Sequence, residues 1–357
     1  MGLPFTTSKA PKRRDHIVAV DLGGRTSKAV CVQRHGDTYK LTNYSVIDAP
    51  VSDKSVSAEL LTEHLKTLST DLGVRCKAMS VAICTADSVV RPAELPSMSV
   101  DDMRQVLKNN AKTYLQQDYP NHIFDCHVLP EPAVEIPKTK QKASGLKKQK
   151  VLIAGAKAQL LDDLQEAIKS AGYIPDHVVP NLVGPINAFE FAYPEEFSNE
   201  VVALIDIGFN GTTISLLQQG ELVLSRVLAT GSDQLTADLA EAMSISYAEA
   251  EGIKVGMPAE VQGQLELLIG PLGRELRASL DFYEHQNERP VSKVFVSGGT
   301  ARSELILQIL QAELLVECKQ WNPTSFMEIG VPPERAGELE QLAPQLAVAI
   351  GAAMATI

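Results

Sequence analysis

Two short segments combine an acidic side chain with glycines and hydroxyls at the mouth of an apolar strand. The first runs Asp21-Leu22-Gly23-Gly24-Arg25-Thr26-Ser27-Lys28 and the second Asp206-Ile207-Gly208-Phe209-Asn210-Gly211-Thr212-Thr213. A glycine turn lets backbone N–H groups approach an anion with no side chain in the way. Thr26, Ser27 and Lys28 add hydroxyl donors and a cation to the first turn; Asn210, Thr212 and Thr213 add polar groups to the second. Asp21 and Asp206, at the strand ends, have the chemistry to hold a magnesium ion, usually through water. Either segment alone also reads as an ordinary hairpin with a glycine turn. As a pair, they could clamp a triphosphate from both flanks, with one carboxylate each for the metal.

Further residues extend this pattern toward a nucleoside. Ser297-Gly298-Gly299-Thr300 stands between an apolar run and a helical pattern, with Arg302 just beyond. Glycines there permit close approach of a ring or sugar, and a helix start favours negative charge; by itself the segment is a tight strand-to-helix turn. Glu251 and Lys254, three apart, share a helix face. They form either a surface ion pair or a bracket for ribose and adenine. Gly231, directly before this helical stretch, joins the candidate set.

The elements that must position these residues repeat along the chain. His16 to Val20 and Val201 to Ile205 are apolar strands that feed straight into the two acidic turns, and each turn is followed by a strand pair. This is an internal duplication of one supersecondary unit at the spacing of two domains. Between the copies, residues Val90 to Val179 read as an insertion of alternating strands and helices. Its stretch 137–150 holds Lys138, Lys140, Lys142, Lys147, Lys148 and Lys150, a charge run that reads as a solvated loop. In the second half the pattern predicts helices over 233–243, 247–254 and 265–283, then a strand over 293–296.

A chain of 357 residues exceeds one ordinary core and calls for two domains or one bilobed body. Its net charge of -11 argues against general nucleic-acid binding, which needs excess Lys and Arg. The five cysteines are scattered with no C-x-x-C pair, so neither a zinc knuckle nor a disulfide framework is indicated. The first fifteen residues are polar and basic, and no apolar stretch reaches the ~20 residues needed to span a bilayer. A cytoplasmic protein is expected, able to dock on a membrane partner.

In order and spacing these elements resemble the actin-like ATPase superfamily, which includes sugar kinases, chaperone ATPases, actin and FtsA. The match sharpens to the PilM-like family of type IV pilus assembly proteins. It is carried by Val90-Arg91-Pro92-Ala93-Glu94-Leu95-Pro96 leading into a helix with Asp101, Asp102 and Tyr114. Val151-Leu152-Ile153-Ala154-Gly155, Ala171-Gly172 and Arg277-Ala278-Ser279-Leu280-Asp281-Phe282-Tyr283 continue it in collinear order. The resemblance implies an α/β, ribonuclease H-like duplicated fold of two lobes with a small inserted α+β subdomain. The expected layout is a flexible tail over 1–15, a first lobe over 16–90 and an insertion over 91–179. The chain would then return to the first lobe over 180–200 and build the second over 201–342, with a helical subdomain near 232–290. Residues 343–357 would be a terminal helix on the first lobe.

By the same resemblance ATP and Mg2+ lie between the lobes, with Asp21 and Asp206 facing the metal. The two glycine turns would hold phosphates, and Glu251, Lys254, Gly298, Gly299 and Arg302 would border the nucleoside. A groove beside the insertion would receive the short cytoplasmic tail of a PilN-like membrane protein, recruiting the chain to the inner face of the inner membrane. Self-association is also open. The sequence departs from the family at Gly24-Arg25, where small serines are common, and Arg25 is expected to be solvated.

A small-molecule kinase of the sugar-kinase branch is the competing reading, since Asp21-Leu22-Gly23-Gly24 also resembles the start of those enzymes. Such a kinase needs a general base beside the acceptor hydroxyl, and no Gly-His-Asp motif occurs among the seven histidines. A membrane-tethered filament of the FtsA type would call for a basic amphipathic terminal helix, whereas 343–357 carries no charge. Of the residues expected between the lobes, Asn181, Asn187 and Glu190 include no evident base. Tight ATP binding with slow or negligible turnover is therefore expected.

Overall fold

The computed structural model describes residues 14–50, 57–129 and 148–357. The basic tail up to residue 13 and most of the Lys-rich stretch lie outside them, although Lys148 and Lys150 belong to a strand rather than a loop.

The first body opens with β1 (His16–Leu22), β2 (Thr26–His35) and β3 (Thr38–Asp48), an antiparallel meander, followed by α1 (Ala58–Leu72) and β4 (Ala78–Ile83). α1 begins where the Ser57 hydroxyl accepts from the Leu60 N–H and ends at Gly73 in the left-handed region. Next come β5 (Ser88–Pro96), α2 (Val100–Leu115), β6 (His122–Val128) and β7 (Lys148–Lys157). These strands form a separate sheet in the order β5-β7-β6. α2 covers one face over Val151 and Ile153, while Leu152 and Ala154, pointing the other way, enter the main core.

α3 (Ala158–Ser170) and β8 (Ile174–Pro180) were expected within the insertion, but they belong to the large sheet layer. β8 pairs in parallel with β4, Val81 opposite Val178, and α3 packs on α1. Alternating elements alone do not show which sheet a strand joins; here Val179 finds its burial in the main core. α4 (Val183–Ala192) and α5 (Pro194–Asn199) then lead to the second body.

That body repeats the first. β9 (Val201–Ile207), β10 (Thr212–Gln218) and β11 (Glu221–Leu228) are antiparallel neighbours. α6 (Ser232–Met243), α7 (Tyr247–Gly256) and α8 (Gln262–Asn287) follow, then β12 (Lys293–Ser297), α9 (Glu304–Leu314) and β13 (Cys318–Gln320). The sheet order is β11-β10-β9-β12-β13, matching β3-β2-β1-β4-β8 in the first body strand for strand. β14 (Glu328–Ile329) returns to the edge of the first sheet, and α10 (Pro333–Leu342) and α11 (Ala347–Met354) close the chain.

β1 and β9 are covered on both faces, which is why they read as unbroken apolar runs. Ile17 and Ala19 of β1 meet Val202 and Leu204 of β9 in one shared core built around α4 and α11. Val18 and Val20 point to the core under α1 and α3, and Ala203 and Ile205 to the core under α8 and α9. α4 and α11 are largely apolar because they are mostly buried between the two sheets. They approach at Gly184 and Gly351, where a Cβ on Gly351 would overlap the Gly184 carbonyl. The Asn187 amide donates to the Gly351 carbonyl at 3.2 Å, which assigns this asparagine to the helix contact. Among the described residues, no helix is long and apolar enough to cross a membrane.

Gly351→Ala should therefore wedge α11 away from α4 and cost about 3 kcal/mol, the upper range for overpacking. Urea denaturation checks it; an unchanged midpoint would mean that this contact is not close-packed.

Candidate functional site

Strand register sets the geometry of the site. Asp21 stands opposite Lys28 of β2, and Asp206 opposite Thr213 of β10, the same offset in both copies. On the other side Asp21 faces Ala82 of β4, whereas Asp206 faces Ser297 of β12. The duplication is thus exact in backbone and different in chemistry. Lys28 Nζ donates to Asp21 Oδ2 at 3.2 Å, so the first carboxylate carries its own cation. Asp206 Oδ1 accepts from the Ser297 hydroxyl at 2.7 Å instead.

Both aspartates open onto one cleft of about 910 Å3 between the two bodies. Burial pushes the Asp206 carboxyl above its ordinary pKa; the Ser297 hydroxyl pulls it back, Asp21 raises it again and Lys28 lowers it. These charges belong to one electrostatic unit. Two carboxylates and one lysine leave a net negative charge that a divalent cation would neutralise. Mg2+ holds most of its waters and takes one or two protein carboxylates, so the pair Asp21 and Asp206 fits it. Among the described residues there is no cluster of three or more acidic, His or Cys side chains of the kind an all-protein metal cage needs.

The turns come into contact above the aspartates. A Cβ on Gly24 would overlap the Asn210 side-chain amide, so only glycine permits this approach. Gly298, at φ 93, lies against the Ile207 carbonyl, and its backbone N–H donates to Pro344 at 3.0 Å. This packing brings the β12 turn against the end of β9.

At the far wall, Lys254 is only 4% exposed and its ammonium bonds the Ser232 carbonyl, the Thr236 hydroxyl and Glu251. Glu251 also accepts from Thr236 at 2.6 Å and from Arg25 Nη1 at 2.8 Å. Burial alone would raise the Glu251 carboxyl; Lys254, Thr236 and Arg25 together hold it below the ordinary carboxylate value. The three-apart spacing of Glu251 and Lys254 therefore makes an ion pair, but a buried one on the cleft wall rather than a solvated one. Arg25, expected in solvent, is held across the cleft by that carboxylate.

Asp21, Gly23, Gly24, Thr26, Lys28, Asp206, Gly208, Asn210, Gly211 and Thr213 all line the cleft, as do Glu251, Lys254, Gly298, Gly299 and Arg302. Ser27, Thr212 and Gly231 do not. Strand alternation turns Ser27 away from the face that Thr26 and Lys28 share, and its hydroxyl meets His64 Nε2 at 2.8 Å. Thr212 is turned away from Thr213 in the same manner and donates to the Thr230 carbonyl at 2.7 Å. Gly231 packs on the backbone of the Asn210 turn. Ser297 opens the third candidate segment, but its bond to Asp206 could not be foreseen, because it arises only from the parallel pairing of β12 with β9. Asn181 lines the cleft with a buried Oδ1 that has no hydrogen-bond partner. Glu190 is not among the lining residues.

Two sheets of equal strand order, closing on a cleft with one acidic turn each, define the actin-like ATPase fold. The chain belongs to the family of type IV pilus assembly protein PilM, whose profile matches residues 19–357. The structure of a PilM–PilN type IV pilus biogenesis complex aligns over 96% of this chain and 98% of that one, with TM-score 0.81 and 21% identity. MreB 5 of Spiroplasma citri bound to AMPPNP aligns over 95% of both chains, with TM-score 0.50 and 11% identity. Cell division protein FtsA of Bacillus subtilis (strain 168) is 29% identical over 168 residues, 45% of this chain and 36% of that protein. The chain thus matches only about a third of the length of that curated relative.

The raised pKa of Asp206 has a consequence for stability. Its contribution is fully present below the unfolded pKa of about 3.9 and is lost as pH rises through the folded value. Stability of the ligand-free protein therefore falls as pH rises above the unfolded value, with Asp206 destabilising at neutral pH relative to acid. Asp206→Asn should raise the ligand-free Tm at pH 7 by on the order of 3 °C, and by less near pH 4. Thermal melts at the two pH values test this; a lower Tm at pH 7 would contradict it.

Proposed function

We propose that this chain is an ATP-binding, actin-like adaptor of a type IV pilus or related secretion machine. The observation that carries the ATP reading is the asymmetric pair of carboxylates, Asp21 neutralised by Lys28 and Asp206 lacking a cation, under two glycine turns in one cleft. Mg2+ bound with ATP would supply the missing positive charge, with Asp21 and Asp206 as the residues to hold it. The chain's own groups then divide the work. The Gly208 N–H closes its own turn on the Gly211 carbonyl, so the phosphates would meet the Gly23–Gly24 turn and the N–H groups of residues 209–211, and Thr26 and Thr213 would add hydroxyls. Glu251, Gly298, Gly299 and Arg302 border the nucleoside, while Lys254, already bonded to three oxygens, orients Glu251.

Slow turnover follows from what stands near the phosphate end. Asn181 lines the cleft, but its amide oxygen is buried and, being neutral, cannot take a proton from an attacking water. The three carboxylates lining the cleft are bonded to Lys28, to Ser297, and to Lys254 with Arg25, which leaves a sugar-kinase base without a supporting residue. ATP therefore acts as a structural or gating ligand. The partner is the cytoplasmic N-terminal tail of a PilN-like inner-membrane protein, a reading supported by membership of the PilM family and by the likeness to a solved PilM–PilN complex. Binding that tail would recruit the chain to the inner face of the membrane.

Isothermal titration with ATP in Mg2+ and in EDTA tests the nucleotide site. Wild type should bind more tightly with Mg2+, and Asp206→Asn should lose at least tenfold of that affinity while remaining folded; equal affinities would refute the metal assignment. Pull-down with N-terminal peptides of single-pass pilus membrane proteins tests the partner. Failure of every such peptide, with and without ATP, would remove the adaptor reading and leave the nucleotide site standing.

A further inference from the structure

Arg25 sits on the first glycine turn, yet its side chain bonds a helix of the other lobe. Its partner Glu251 lies 226 positions away on α7. Gly24, the preceding residue, touches Asn210 of the second turn, so two consecutive residues of one lobe reach across the cleft. The Glu251 end of the ion pair is fixed. Its second oxygen takes the Thr236 hydroxyl and the Lys254 ammonium, both on buried residues. The Arg25 end is the movable one, with its side chain 48% exposed.

The cations lining the cleft are Arg25, Lys28, Lys254 and Arg302. Lys28 bonds a carboxylate of its own sheet, and Lys254 bonds groups of its own helical layer. Arg25 differs in that its ion pair joins one lobe to the other. Opening the cleft pulls on this pair and on the Gly24–Asn210 contact together, because Arg25 and Gly24 sit on the β1–β2 turn while Glu251 and Asn210 belong to α7 and the β9–β10 turn of the other lobe.

We propose that Arg25 is a positioning residue of the cleft: through Glu251 it clasps the second lobe to the first and slows the exchange of a bound nucleoside triphosphate. This rests on the ATP reading above. The clasp acts on closure rather than on chemistry, and its half-exposed guanidinium makes it sensitive to ionic strength. A single pair of this kind is modest, so its effect is a several-fold change in rate.

The test follows release of a fluorescent ATP analogue, displaced by excess Mg2+-ATP in a stopped-flow instrument, from wild type, Arg25→Ala and Arg25→Lys. Arg25→Ala should release the analogue about fivefold faster, and Arg25→Lys, which keeps the charge, should fall between. Raising salt from about 0.05 to 0.5 M should speed release from wild type and leave Arg25→Ala nearly unchanged. Hydrogen exchange of the nucleotide-free proteins gives an independent readout: Arg25→Ala should expose the amides of 23–26 and 247–256 to faster exchange. Equal release rates with unchanged exchange overturn the clasp. Faster release without loss of the salt response also overturns it, since Arg25 would then act on the phosphates directly. Wild type that takes up no nucleotide sinks the ATP reading, and the exchange result then decides the clasp alone.

Discussion

Asp21 and Asp206 end strands of two different sheets and face one cleft, where Lys28 balances the charge of Asp21 alone. Carboxylates brought together in this way repel and lose solvation, and the upward shift of Asp206 records both effects. The surrounding features are arranged to tolerate this cost. Ser297 gives Asp206 a hydrogen bond, and glycines keep the turns bare of side chains where they border the cleft. Binding sites commonly trade stability for function in this manner.

The two aspartates face one cleft because the sheets behind them share a core. Ile17, Ala19, Val202 and Leu204 share one core around α4 and α11, and those helices approach closely at Gly184 and Gly351. The lone tryptophan, Trp321, lies in the same region with Phe189 on α4 and near Phe295 through Tyr193, packed edge to face or tilted. Dense packing of this kind leaves lobe motion to be resisted at the open side of the cleft, where Arg25 meets Glu251 and Gly24 meets Asn210.

Much of the fold was legible in the residues. The repeated run of apolar strand, acidic turn and strand pair announced two like sheets, because a strand buried on both faces must be apolar throughout and a donor-rich turn must carry glycine. The alternation that turns Ser27 and Thr212 away from the cleft was also present in the sequence, but it has meaning only once Lys28 and Thr213 are known to face inward.

By itself, the sequence determined the paired acidic turns and the residue types around them, since these depend on contacts within a few positions. Tertiary structure decided how the two turns differ. Lys28 neutralises Asp21 by hairpin register, which is local, but Ser297 reaches Asp206 through a parallel pairing across ninety-one positions. Glu251 captures Arg25 across 226. The placement of β8 beside β4 has the same character. Parallel pairing and closure between lobes are fixed by how whole sheets bury their faces, and no local pattern of residue types encodes the partner that burial will select.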